Sequence, residues 1–438
     1  MKTSNRRTVL VTGGTLSAFA LAGCLASIPD SNDVNPLAEG GSDDTEPPDD
    51  DPNANDESNA DDESNADDEQ EEHDHLPGES LDQFSDLEHW YPFSGEEEVS
   101  GSDDDPYTGE QSALISADAD VGTASIFREF TDPLDLHEQN LSLAVKFTGN
   151  EVLDLTIQLL APNTRNYLNY RRVLTGPVDR WTRVDLGTTY RETQPDLYDV
   201  REIRVNARVR GEQDHPLEFS IDDLRAVERP DRGAVMLLFD ATLEDHYHVA
   251  LDALEDYGFP GVVAITPELV GRGGRLTLDQ LREMQEAGWE MIGRPHVGGT
   301  DFHAYDRDEQ EGMIRRTQSF LEHRGFEDGS RHFFTPRNMI GPEGMDLVRE
   351  YHDLALRYGG APNALPLTDP HNLGHFSASD LNATTSFIEL AAEYKQVAIP
   401  RFETLGADGV DEETLYELLD LVDELDVDIL TASDLADA

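Results

Sequence analysis

The chain has 438 residues, enough for two domains with tails, and its formal net charge is −60. Acidic residues number 92 against 32 basic ones, and no basic stripe is available to neutralise phosphates, so nucleic-acid binding is disfavoured. Its one cysteine, Cys24, excludes an intrachain disulfide and a cysteine-based zinc cluster.

The N-terminus reads as a targeting segment. Asn5-Arg-Arg-Thr-Val-Leu10 resembles a twin-arginine export signal, and an apolar run follows from Val9 to Ala22. Leu21-Ala-Gly-Cys24 then resembles a lipobox, which implies a lipid on Cys24 and anchoring to a membrane. The alternative is an ordinary N-terminal membrane anchor, although the run is shorter than the roughly 20 residues that span a bilayer. Either reading places the body outside the cell, at the surface. Residues 25–80 are read as an acidic, disordered stalk. Asp30 to Asp74 holds 20 acidic residues and no basic one, too few apolar groups to offset the entropy of ordering. His73 and His75 are read as part of that solvated tail.

The excess of acid is not confined to the stalk. From His75 onward acidic residues still outnumber basic ones more than two to one, and only Lys2, Lys146 and Lys395 are lysines. High acidity with arginine favoured over lysine resembles proteins of salt-loving archaea. At molar salt the Debye length is about 3 Å, so the self-repulsion of such a body is screened.

Residues 81–228 carry short apolar stretches between turn residues, several alternating with period two. Ala124–Phe130, Leu141–Phe147, Leu153–Leu159, Arg183–Leu186, Glu202–Ala207 and Leu217–Ile221 predict strands. Strands without helices predict a β-sandwich. Tyr107-Thr-Gly-Glu-Gln-Ser-Ala-Leu114, Trp181-Thr-Arg-Val-Asp-Leu-Gly187 and Ile221-Asp-Asp-Leu224 resemble phrases of jelly-roll carbohydrate-binding modules. Trp90, Tyr91, Tyr167, Tyr170 and Trp181 are candidates to stack on sugar rings, with core packing as the alternative for each. Asp222 and Asp223 offer oxygens of the kind that hold a structural Ca²⁺, with a solvated strand end as the alternative.

After a linker at Glu228–Arg232, residues 232–438 alternate strand and helix patterns. Strands are expected at Ala234–Phe239, Gly261–Thr266, Glu290–Gly293, His332–Thr335, Ala355–Tyr358, Val397–Phe402 and Asp428–Thr431. Helices are expected at Asp245–Tyr257, Leu278–Ala287, Arg307–Arg324, Gly344–Tyr351, Ser379–Tyr394 and Glu412–Leu425. Glu244 and Asp245 stand where carboxylates cap a helix. Seven such units predict an α/β barrel with its chemistry at the C-terminal ends of the strands.

The strand ending in Asp240, the segments Leu243-Glu-Asp-His-Tyr247 and Gly288-Trp-Glu290, and His332-Phe-Phe-Thr-Pro336 carry a family resemblance, as does the closing Asp428–Leu435. Together they resemble the polysaccharide deacetylase (NodB homology) domain, a distorted (β/α)7 barrel. The resemblance implies a divalent metal, zinc or another, held by an Asp and two His, with a second Asp as base. These groups would hydrolyse a non-peptide C–N bond of an acetylated sugar. Carried over, Asp240 matches the catalytic base, Ala241 the metal-binding Asp, and Arg294 and Gly298 the two His. Pro400 or Arg401 stands at the general-acid His, and Arg337 near a usual Tyr. Ala and Gly carry no ligand atom, and a guanidinium repels a dication. Losing a metal-bound water with a pKa near 7 removes on the order of 12 kcal/mol of activation. His246 and His296 are the weak candidates for a rebuilt metal site. Arg294, His296, Arg337 and Arg401 are the candidate substrate-binding groups, with the three arginines expected to converge at the barrel mouth. The function expected is polysaccharide binding with catalysis lost. An active de-N-acetylase with a rebuilt site and a structural surface protein are the alternatives.

Overall fold

The computed structural model describes residues 76–210, 215–406 and 409–438. The twin-arginine segment, Cys24 and the acidic stretch up to residue 75 lie outside the described residues. Among the described residues, no helix is long and apolar enough to cross a membrane.

Residues 79–228 form two packed six-stranded antiparallel sheets. One sheet runs Glu97–Ser102, Ser112–Ala117, Leu217–Glu228, Gln139–Thr148, Thr182–Leu186, with Glu79–Asp82 also paired to Leu217–Glu228. The other runs Thr188–Glu192, Asn166–Thr175, Val152–Asn163, Val200–Val209, Thr123–Leu134, Tyr91–Pro92. The strand alternation seen in the sequence fills the space between them. Leu141, Leu143, Val145 and Phe147 from one sheet meet Leu153, Leu155, Ile157 and Leu159 from the other, all buried. The first strand begins at Glu79, just inside the segment read as stalk. Trp90 and Tyr170 are core residues.

The two carboxylates named for Ca²⁺ are buried and are not a solvated strand end. Asp223 is paired with Arg183 at 2.9 Å and with Arg225 at 2.9 Å. Asp222 accepts from the Thr108 amide at 2.9 Å and hydroxyl at 3.2 Å. Both guanidiniums lie on Asp223 Oδ2, and its Oδ1 is buried without a hydrogen-bond partner. Burial raises the Asp222 carboxyl to about 6.

The C-terminal half closes into a parallel barrel in the order Leu238–Phe239, Val262–Ile265, Glu290–Gly293, His332–Phe334, Leu354–Tyr358, Leu373–Ser377, Pro400–Phe402. The strand expected at Asp428–Thr431 is Val427–Ile429 and is not a barrel strand. It pairs with Gly233–Val235 in a separate three-stranded sheet at the N-terminal end of the barrel. The seventh barrel strand is Leu373–Ser377, which the apolar pattern hides. It reads Leu-Gly-His-Phe-Ser, and its Gly374 leaves room for the guanidinium of Arg172. The expected helices are present, most of them shifted by one or two residues.

No helix stands between Leu354–Tyr358 and Leu373–Ser377, and the sandwich packs there instead. Arg172 reaches across to the Asn363 side chain at 2.7 Å and to the Asn372 carbonyl. Asn372 in turn donates to the Arg183 carbonyl at 2.7 Å and accepts from Arg357 at 2.7 Å. Asp185 accepts from the Thr368 amide at 3.0 Å, and Asn140 donates to the Leu365 carbonyl at 2.8 Å. The junction is a buried polar network with most members satisfied by a specific partner, which fixes one arrangement of the two halves.

Candidate functional site

The barrel interior is built from alternate residues of each strand. Leu238, Ala264, Ile292, Phe334, Leu356, Leu373 and Ile399 form one buried cluster. Side chains alternate with period two. The residues two further along therefore form the next inward layer, at the C-terminal mouth. That layer contains Asp240, Thr266, Arg294, Tyr358, His375 and Arg401.

Asp240 is the centre of this layer and is 3 % exposed. Arg401 Nη1 donates to its Oδ2 at 2.8 Å, and Arg294 Nε lies 3.2 Å from its Oδ1. The Ala241 amide donates to Oδ1 at 2.5 Å. Arg294 is held in turn by Thr266 Oγ1 at 3.2 Å, and Arg401 by Glu403 at 3.0 Å. Burial alone would raise the Asp240 carboxyl, but the charges of Arg294 and Arg401 and the Ala241 amide outweigh it and hold the group below the usual range. Asp240 is thus a buried carboxylate engaged by one guanidinium hydrogen bond, one backbone amide and the charge of a second guanidinium.

His375 completes the layer and was not among the residues singled out from the sequence. Its ring stacks on Phe334 at 5.3 Å, and its Nε2 lies 3.2 Å from Asn338 Oδ1. Burial first, then the Arg401 charge, push its pKa well below the usual value, so it is a neutral imidazole. The missing signal was the strand that carries it. Without Leu373–Ser377 in the barrel, nothing in the sequence aims His375 inward.

Two loops at this end hold non-glycine residues in left-handed backbone. Ala241 and Thr242 have φ of 75° and 56°, and Arg337 and Asn338 have φ of 54° and 60°. Each such residue costs on the order of 1–3 kcal/mol and persists where its surroundings over-determine it. Thr242 shows how. Its hydroxyl donates to the Ala264 carbonyl at 3.2 Å and accepts the Thr266 amide at 2.9 Å.

The three arginines expected at the mouth have different partners. Arg294 and Arg401 meet on Asp240, whereas Arg337 pairs with Asp301 at 2.6 Å. Of the alternatives at the general-acid position, Arg401 is the residue that reaches the site. His296 is exposed on its loop. His246 is buried outside the barrel beside Phe239, with Nε2 3.0 Å from the Glu403 carbonyl, and burial lowers its pKa. Asp245 makes no side-chain cap; its carboxylate accepts the Leu405 amide at 2.8 Å.

The donor set at these positions does not suit a divalent cation. Ala241 offers a methyl group, Gly298 no side chain, and Arg294 a fixed positive charge. Among the described residues, no group of three His, Cys, Asp or Glu stands together as metal ligands would.

No family model matches the sequence, and no curated protein does. Among solved structures the fold is similar, at low identity, to a Streptococcus pyogenes deacetylase, PplD, in complex with acetate. That match has 19 % identity and a TM-score of 0.30 over 32 % of this chain and 62 % of that one. This chain therefore spans less than two thirds of that deacetylase's length. A carbohydrate esterase family 4 domain of a multidomain xylanase, from the hindgut metagenome of Trinervitermes trinervoides, matches at 13 % identity. Its TM-score is 0.36, over 47 % of this chain and 91 % of that domain. A family 11 carbohydrate-binding module from Clostridium thermocellum, in complex with a mixed-linked tetrasaccharide, matches at 14 % identity. Its TM-score is 0.26, over 35 % of this chain and 96 % of the module.

Replacing Asp240 with Ala is expected to destabilise the barrel by about 3–5 kcal/mol, because two guanidiniums lose their shared partner. The effect has a pH signature. A carboxyl held below its unfolded value contributes stability that is full above about pH 4 and is lost as pH falls through the lower folded value. Chemical denaturation of both proteins at neutral pH and at pH 3 measures it. A neutral-pH difference under about 1 kcal/mol would mean that the pair of arginines does not depend on Asp240.

Proposed function

We propose that this protein binds polysaccharide through one face of its sandwich, and that its barrel has lost the metal-dependent de-N-acetylation of the family it resembles. The observation that carries the binding reading is a single cross-strand row. Tyr190 lies opposite Asn169, Asn169 opposite Gln158, Gln158 opposite Arg204, Arg204 opposite Phe127, and Phe127 opposite Tyr91. The row crosses all six strands of one sheet, roughly 24 Å at the usual strand spacing.

Its two ends are aromatic and its middle is polar. Tyr190 is 46 % exposed and packs on Tyr167 at 5.9 Å. At the other end Tyr91 and Phe93 are 48 % and 55 % exposed and flank Phe127. Between them Gln158 Nε2 donates to Asn169 Oδ1 at 3.0 Å, and Arg204 stands 4.9 Å from the Phe93 ring. Large exposed aromatic rings are costly in water, and three of the four such residues described are on this sheet. Rings that stack on sugar faces, with amides between them for hydroxyls, suit an extended glycan.

The loss of hydrolysis rests on Asp240. A base committed to two guanidiniums, with no ligand set for a metal, lacks the activated water that the reaction requires. Export and lipid attachment at Cys24 complete the proposal and rest on the N-terminal motif alone.

Native affinity electrophoresis in molar salt with immobilised polysaccharides tests the binding. Retardation is expected, and Tyr190→Ala should weaken it several-fold, as loss of one stacking ring does. No retardation by any polysaccharide would sink the reading. Acetate release from acetylated glycans should stay at background with or without added zinc. For the anchor, Cys24→Ser should move the protein from the membrane fraction to the medium; an unchanged distribution would exclude lipidation there.

A further inference from the structure

We propose that the polysaccharide taken by this face is anionic and carries uronic-acid carboxylates, which dock on an arginine cluster beside the aromatic row. The proposal rests on the binding reading above and names its ligand class.

The cluster is built around Asp154, which is 4 % exposed. Arg171 donates to it through Nε at 2.8 Å and Nη2 at 3.0 Å. Arg208 Nη2 donates at 2.8 Å, and Arg210 donates through Nε at 3.0 Å and Nη2 at 2.9 Å. Three guanidiniums therefore share one carboxylate. Burial alone would raise the Asp154 pKa, but its arginine partners hold it down, so it is ionised. Among the described residues of the cluster, three guanidiniums face one carboxylate.

Position makes the cluster part of the platform. Asp154, Thr156 and Gln158 alternate on one face of their strand, as do Arg204, Asn206 and Arg208 on theirs. Arg171 is two residues from Asn169, about 7 Å along the strand, and so directly borders the row. Arg208 keeps 48 % of its side chain exposed and Arg171 23 %. Among the described residues, carboxylates stand at both ends of the row, with Glu389 lining a cavity beside Tyr190. Glu192 accepts from the Tyr190 hydroxyl and Glu202 pairs with Arg204, while Glu129 lies exposed opposite Glu202 at the row's other margin.

The context sharpens the inference. In a chain of 92 acidic and 32 basic residues, three guanidiniums gathered on one face are against the trend of the whole molecule. If the protein works in molar salt, long-range attraction is screened beyond about 3 Å. Recognition must then come from direct contact, and a guanidinium fork matches a planar carboxylate through two hydrogen bonds.

Calorimetry on the full chain in molar NaCl tests this, with oligogalacturonate, the neutral oligogalactoside of equal length, and a sulfated oligogalactoside. Oligogalacturonate should bind about tenfold more tightly than the neutral oligomer. Arg208→Gln should remove most of that advantage and leave the neutral oligomer unchanged, since Arg171 and Arg210 still hold Asp154. Tyr190→Ala should weaken both. Equal affinity for neutral and uronate oligomers, both sensitive to Tyr190→Ala, overturns the anionic assignment and leaves the glycan platform standing. Tighter binding of the sulfated oligomer overturns the choice of carboxylate. If no oligomer binds and Tyr190→Ala changes nothing, the platform itself falls.

Discussion

A buried carboxylate has a small number of lone pairs, and what occupies them decides what the site can do. Asp240 sits in the inward layer of the barrel mouth and gives one oxygen to Arg401 and the other to Arg294 and the Ala241 amide. A metal at that place would need the same oxygens. Guanidiniums and a dication cannot share them, because the arginines bring charge of the wrong sign into a region screened poorly by water. The rest of the mouth is consistent with this choice. His375 is kept neutral, Thr266 orients Arg294, and the strained turn at Ala241 and Thr242 is pinned by the Thr242 hydroxyl. With the mouth filled in this way, the proposed ligand face is the sandwich sheet that exposes Tyr91, Phe93 and Tyr190.

The junction between the two halves explains why a strand hidden in the sequence matters. Because no helix covers Leu354–Tyr358 and Leu373–Ser377, their outer surface is free to take the sandwich. Arg172 from the sandwich and Arg357 from the barrel are both buried there and are satisfied mainly by Asn363, Asn372 and backbone carbonyls. Such a network rewards one geometry and penalises others, since each misplaced donor would be buried without a partner. The aromatic row of the sandwich is therefore presented at a fixed orientation to the barrel.

Much of this was legible in the residues. Period-two alternation located the core strands of the sandwich, because the alternate apolar side chains of Leu141 to Phe147 and Leu153 to Leu159 all lie in its core, although Ser142, Ala144 and Asp154 between them are buried too. Apolar runs and helix periodicity located six of the seven barrel strands. Leu373–Ser377 escaped because Gly374 and His375 serve neighbours distant in sequence, a guanidinium on one side and the mouth on the other. Val427–Ile429 was misplaced because a strand that extends a sheet below the barrel has the same local pattern as one that closes it. At the site, the replaced ligands could be read directly, but their new partners could not. Arg401 turns to Asp240 and Arg337 to Asp301, and charge alone does not separate those fates. Of the aromatic candidates, Tyr91 is exposed while Trp90 and Tyr170 are core, and Tyr190 enters the row only once strand register is known.

The central claim is that Asp240 belongs to Arg294 and Arg401 and not to a metal. Anomalous diffraction from crystals of the protein soaked in cobalt or zinc addresses it directly. The account predicts no anomalous peak near Asp240 and unchanged guanidinium positions. A strong peak coordinated by Asp240, with Arg294 swung away, would contradict it.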